Sequence, residues 1–123
     1  MNSPVIEITL PEWINDFVEW DKTYATDEER MLLAVNLAIE NIRRATGGPF
    51  GAAIFDGVTG KVVSVGLNQV IRLNNSALHA EVMAIMAAQK NLENYNLNFD
   101  GAGRYELFTS CEPCCMCLGA VLW

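Results

Sequence analysis

The chain has 123 residues, 51% of them hydrophobic, and a formal net charge of −7 with only 8 Lys and Arg. That length allows one domain with a buried core, and the acidic balance argues against a nucleic-acid partner, which asks for a basic face. No apolar run reaches transmembrane length and no basic-then-apolar leader follows Met1, so the cytoplasm is the expected location.

Residues 1–25 form a lead-in. Pro11 suits the first turn of a short helix with Thr9 as its cap. Trp13, Phe17 and Trp20 recur at helical spacing, which predicts one aromatic face. Such a stripe either packs on the domain or serves a partner surface. Thr26-Asp27-Glu28-Glu29 is a capping box. Met31, Leu32, Val35, Leu37, Ala38, Ile39 and Ile42 then give a wide apolar face, and Gly47-Gly48-Pro49 is a stop, so a helix is expected over 27–45. Ala52 to Phe55 and Lys61 to Leu67 read as strands around the turn Asp56-Gly57-Val58-Thr59-Gly60, an antiparallel hairpin. Asn68 to Leu78 is a loop delivering His79, and a helix is expected from His79 to Asn91. Tyr105 to Thr109 reads as a third strand, and a last helix runs from about Cys114 to Trp123. This order implies an α/β sandwich with a right-handed crossover between the hairpin and the third strand.

Two stretches carry chemistry: His79-Ala80-Glu81, and Pro113-Cys114-Cys115-Met116-Cys117. A catalytic zinc takes three protein ligands from imidazole, thiolate or carboxylate and keeps a fourth position for water. His79, Cys114 and Cys117 offer such a set. Both stretches fall where a helix begins, and the positive end of a helix lowers the cost of a thiolate. Cys114 and Cys117 share a helix face, whereas Cys115 points about 100° away. All four cysteines lie between Cys111 and Cys117. A thiolate cluster for zinc or iron–sulfur is therefore the rival reading, in which adjacent Cys114 and Cys115 would have to reach one metal. Cys111 and Cys115 are expected to pack as small apolar groups. Glu81 has two readings, a proton carrier beside the metal or a dipole-stabilising acid in a first helical turn.

The blocks Gly47 to Ala52, His79 to Val82 and Thr109 to Ala120, with Gly66 to Val70, resemble the cytidine-deaminase-like superfamily and, within it, the bacterial guanine deaminases. The pattern H-x-E … P-C-x-x-C is the zinc deaminase signature. The resemblance covers about residues 27–123. It implies a three-layer α/β/α sandwich with a helical lead-in, an N-terminal extension over 1–25 and a zinc-dependent deaminase domain over 26–123. It further implies hydrolytic deamination of a purine base, guanine to xanthine and ammonia, by one Zn2+ held on His79, Cys114 and Cys117, with Glu81 shuttling protons. Asn68 would hydrogen-bond the base, Phe50 and Trp123 would stack on or wall the ring, and the Ala80 backbone would line the pocket. Asn68 as a plain turn residue and Phe50 as core are the bland alternatives. Family members continue beyond the helix in which this chain stops and form homodimers, sometimes exchanging C-terminal parts, so the chain is expected to be a fragment of a longer enzyme. The alternatives are a tRNA adenosine or cytidine deaminase, a free pyrimidine or s-triazine deaminase, and a non-catalytic zinc domain that binds a partner.

Overall fold

The computed structural model describes all residues from Met1 to Trp123. Its elements are α1 (Ile14–Phe17), α2 (Asp27–Arg43), β1 (Gly51–Asp56), β2 (Val62–Leu67), α3 (Ala80–Asn91), β3 (Tyr105–Thr109) and α4 (Cys115–Leu122). The strands form one sheet in the order β2-β1-β3, with both outer strands antiparallel to β1. β2 and β3 therefore run parallel to each other and end at the same edge, where β1 begins.

Alternation along β1 separates two cores. Ala53 and Phe55 join Leu33, Leu37, Val65 and Leu67 on the α2 side. Ala52 and Ile54 meet Ala80, Ala84 and Ala88 of α3 on the other. The expected α/β/α sandwich is what the chain forms. α3 presents small residues at every fourth position, which lets it lie close on the sheet. Gly66 of β2 marks the closest approach: a Cβ there would stand 1.9 Å from the Ala80 carbonyl oxygen. Ser64 Oγ donates to the Ala84 carbonyl at 2.8 Å and fixes the same contact.

α2 starts as its sequence predicts. Thr26 Oγ1 accepts from the Glu29 N–H at 3.2 Å, while the Glu29 carboxylate accepts from the Ala25 N–H at 2.7 Å. It ends two residues earlier than expected, at Arg43. Ala45 turns to φ 53° and the Thr46 N–H closes back on the Asn41 carbonyl at 3.0 Å, so the left-handed residue comes before the glycines. The expected apolar face also divides. Leu33, Ala34, Leu37, Ala38 and Asn41 are buried, whereas Met31, Leu32, Ile39 and Ile42 are exposed. The i, i+4 series through Leu33, Leu37 and Asn41 selects the inner face, and the exposed group lies on the other side of the helix.

The lead-in helix is a single turn rather than a capped helix from Pro11, and Thr9 accepts from the Arg72 guanidinium instead of capping. Ile14, Val18 and Tyr24 enter the α2-side core, with Trp13, Phe17 and Trp20 packed against it, so the aromatic stripe serves packing. No helix is long and apolar enough to cross a membrane.

At the far end of β1 the Arg104 guanidinium bonds the Asp56 carboxylate, with Arg104 Nε at 2.8 Å. That bond, with help from the Val58 and Thr59 N–H groups, lowers the Asp56 pKa from 3.8 to about 2. A depressed folded-state pKa means stability that is complete above the unfolded value and lost as pH falls through the folded one. Asp56→Asn should therefore flatten the pH dependence of the urea midpoint between about pH 4 and pH 2; parallel pH profiles for the two proteins would contradict this linkage.

Candidate metal centre

The parallel ends of β2 and β3 bring two chain segments to one sheet edge. From β2 the chain passes through Asn68 and a turn-rich loop, and the Gln69 N–H donates to the Leu78 carbonyl at 3.0 Å, directly beside His79. From β3 it passes through Ser110, whose N–H donates to the Gly51 carbonyl at 2.9 Å while its Oγ accepts from the Gly51 N–H at 3.0 Å. This two-way bond steers residues 111–114 back over the sheet edge. Ser110 was part of a recognised block, but nothing in the sequence marked its hydroxyl as the anchor.

His79 and Cys114 take the same backbone role. Each is the N-cap of the helix that follows, in extended geometry at φ −70°. The helices thus begin one residue later than expected, and the two donors stand at the helix mouths. His79 Nδ1 lies 3.6 Å from Cys114 Sγ and 3.5 Å from Cys117 Sγ, and the three donor atoms fall within 4.8 Å of one another. Zinc bonds of about 2.05 Å to nitrogen and 2.3 Å to sulfur at a tetrahedral angle would separate such donors by about 3.6 Å. The donor set and its spacing fit a zinc ion.

The environment is asymmetric. Cys117 is fully buried and Cys114 is exposed, so the triangle opens towards solvent on one side. The Cys117 backbone N–H faces the Cys114 sulfur and holds its thiol below the ordinary value against some desolvation. Burial pushes the Cys117 thiol up to about 12, reinforced by its bond to Glu81. Glu81 is only 7% exposed, and its Oε2 accepts from the Cys117 thiol at 3.3 Å. Glu81 thus stands against one of the three donor sulfurs, next to where a metal ion would sit.

Cys111 and Cys115 are corrections: both are exposed rather than packed. Cys115 opens α4 on its outer side, and Cys111 sits in the turn after β3. Neither belongs to the donor group.

Among the expected base contacts, Asn68 and Phe50 lie side by side at the same sheet edge, where the Asn68 N–H donates to the Phe50 carbonyl at 3.2 Å. Asn68 Oδ1 accepts from the Val70 N–H at 3.3 Å. Phe50 is 39% exposed. Ala80 is buried, with its carbonyl against Gly66. Trp123 is not brought to this edge. It stands fully exposed at the other end of α4, about 13–14 Å along the helix from Cys114. There it lines an apolar cavity of about 490 Å³ with Ile85, Tyr105 and Leu107. None of the three donors lines that cavity, so this apolar hollow and the donor triangle occupy different places. Two residues that pattern reading passed over are Asn41 and Gln69, both fully buried and polar beneath Asn68. A polar residue on the inner face of α2, in register with Leu33 and Leu37, was the available signal.

The sequence profile of the cytidine and deoxycytidylate deaminase zinc-binding region matches residues 24–123. The chain belongs to this deaminase family. Family membership and the geometry of His79, Cys114 and Cys117 agree on zinc as the cofactor. A guanine deaminase of Bacillus subtilis is 46% identical over 90 residues, covering 73% of this chain and 53% of the relative. A tRNA-specific adenosine deaminase of Haemophilus influenzae is 34% identical over 97 residues, covering 78% and 51%. A crystal structure in complex with 2,6-diaminopurine superposes with a TM-score of 0.88 at 39% identity, covering 97% of this chain and 62% of that one. The chain spans about half the length of these two relatives, 53% and 51%.

The donor assignment predicts how metal content responds to substitution. Protein loaded with zinc and desalted should carry about one zinc per chain, fall well below that in His79→Ala and Cys117→Ser, and remain at one in Cys115→Ser. Zinc loss in Cys115→Ser, measured by atomic emission, would move the site to the cysteine cluster.

Proposed function

We propose that the chain carries the catalytic zinc site of a hydrolytic deaminase acting on a purine base, with guanine and water giving xanthine and ammonia. The observation that supports it most is the placement of a buried carboxylate, Glu81, against the donor triangle at 3.3 Å from Cys117 Sγ, with the Asn68 side chain at the same sheet edge. Zinc on His79, Cys114 and Cys117 supplies the Lewis acidity that makes water nucleophilic near neutral pH. Glu81 would take one proton from the attacking water and give it to the ring, then take the second proton from the same oxygen and give it to the departing amine, so both protons of the water are accounted for. Its burial keeps this exchange away from bulk water. Asn68 uses its oxygen on the Val70 N–H and has an amide N–H pair without a protein partner, which suits an acceptor on the base edge. Phe50 offers a ring face beside it. The Ala80 backbone lines the floor, and Trp123 would wall the ring only in an arrangement other than the one described. A cytoplasmic homodimer is part of this reading.

The guanine choice follows the Bacillus subtilis relative and the diaminopurine-bound structure. The tRNA adenosine reading is supported by the Haemophilus influenzae relative. The net charge of −7 weighs against it, because an RNA substrate asks for a basic surface.

Ammonia release by zinc-loaded protein on guanine, adenine, cytosine, cytidine, an s-triazine amine and a tRNA decides among these. Turnover of guanine alone is expected, with Glu81→Ala losing about 10²–10⁴-fold in kcat while keeping its zinc. Turnover of another substrate would overturn the guanine assignment. Undiminished turnover in Glu81→Ala would overturn its role, and zinc binding without any turnover would favour a partner-binding zinc domain.

A further inference from the structure

Asn41 is fully buried on the inner face of α2, yet its side chain makes every contact an amide could seek there. Nδ2 donates to the Gly48 carbonyl at 2.9 Å and to the Asn68 carbonyl at 3.1 Å, and Oδ1 accepts from Thr46 Oγ1 at 2.7 Å. The reversed amide would set an oxygen against two carbonyl oxygens, so one orientation is enforced. The two carbonyls belong to the two segments that bear Phe50 and Asn68.

Gln69, also fully buried, reinforces the arrangement. Its Nε2 donates to the Asn68 carbonyl at 2.8 Å and to the Thr46 carbonyl at 3.0 Å. The Asn68 carbonyl thus accepts from two buried amides while its N–H is committed to Phe50 at 3.2 Å. The Asn68 backbone is held from both sides. Gly47 completes the packing, since a Cβ there would lie 2.0 Å from the Asn68 carbonyl and 2.6 Å from Asn41 Nδ2. The network reaches the lead-in as well: Trp13 Nε1 donates to Thr46 Oγ1 at 3.2 Å, and Arg72 bridges Gln69 Oε1 to the Thr9 carbonyl. Two buried amides are a costly way to support a loop if filling space were the only need, because apolar side chains of similar size fill a core without polar desolvation.

We propose that Asn41 is a positioning residue for base recognition: it locks the Asn68 backbone to the Gly48–Phe50 segment, so that the free Asn68 amide N–H pair is presented to the base. This rests on the reading of Asn68 as a base contact. Asn41 touches neither the donors nor the base, so its effect passes through Asn68.

The test is a double-mutant cycle with zinc-loaded Asn41→Asp, Asn68→Ala and the double variant, read as KM and kcat for guanine alongside zinc content. Asn41→Asp keeps the size and turns the two donors into acceptors facing carbonyl oxygens. Each single variant should raise KM about tenfold, the equivalent of one lost hydrogen bond, with kcat within about threefold and zinc retained. In the double variant the second substitution should add less than about twofold. Multiplying effects, or a joint loss of zinc and kcat in Asn41→Asp, would mean that Asn41 supports only the fold. A KM raised in Asn68→Ala but unchanged in Asn41→Asp would overturn this inference alone. A KM unchanged in Asn68→Ala would overturn the reading of Asn68 and this inference with it. If Asn41→Asp does not fold, Thr46→Val removes the hydroxyl that pins Asn41 Oδ1, and the same cycle against Asn68→Ala carries the same criteria.

Discussion

The contact on which the site depends is the close seat of α3 on β2. Glycine on the strand and alanines along the helix remove the side chains that would otherwise stand between helix and sheet. The Ala80 carbonyl then rests where a Gly66 Cβ would have been. Because Ala80 is the first residue of α3, this contact also sets the positions of His79 and Glu81 on either side of it. The same edge receives α4 through the Ser110–Gly51 bond. These two contacts, Ala80 against Gly66 and Ser110 against Gly51, bring donors 35 and 38 residues apart to within 3.6 and 3.5 Å.

Electrostatics then divides the labour within that small volume. Cys114 sits at a helix mouth where N–H groups ease its ionisation, and Cys117 sits deep beside Glu81 where ionisation is opposed. Cys117 and Glu81 form the buried part of the site and Cys114 its open side. Behind the sheet edge, Asn41 and Gln69 are buried polar residues placed under a loop rather than at the metal. Their amides bond backbone carbonyls, so they specify where the loop lies.

The elements of regular structure were legible because each was written at its own period. The valine-rich hairpin, the capping box at Thr26 and the strand at Tyr105 all stand where pattern placed them. The donor triangle was equally legible, since His79, Cys114 and Cys117 are the residues whose spacing and type point to zinc. The errors have a common origin. Which side of α2 faces the sheet depends on tertiary packing, and Met31, Leu32, Ile39 and Ile42 are apolar enough to have been assigned inward. Gly47-Gly48 places the end of α2 too late, because Ala45 makes the left-handed turn first. The residue type of Cys111 and Cys115 suggests packing but carries no information on direction, and both are exposed. The Asn41–Gln69–Thr46 network was invisible because it joins three segments that only the folded chain brings together.

The account stands on zinc held by one imidazole nitrogen and two thiolate sulfurs, with Glu81 outside the ligand set. Zinc-edge X-ray absorption on the loaded protein tests this most directly. It should show two sulfurs at about 2.3 Å and two lighter ligands at about 2.0–2.1 Å, one of them with imidazole scattering. A shell of three or four sulfurs would place the metal on the cysteine cluster and contradict the arrangement of His79, Cys114 and Cys117 as a catalytic centre.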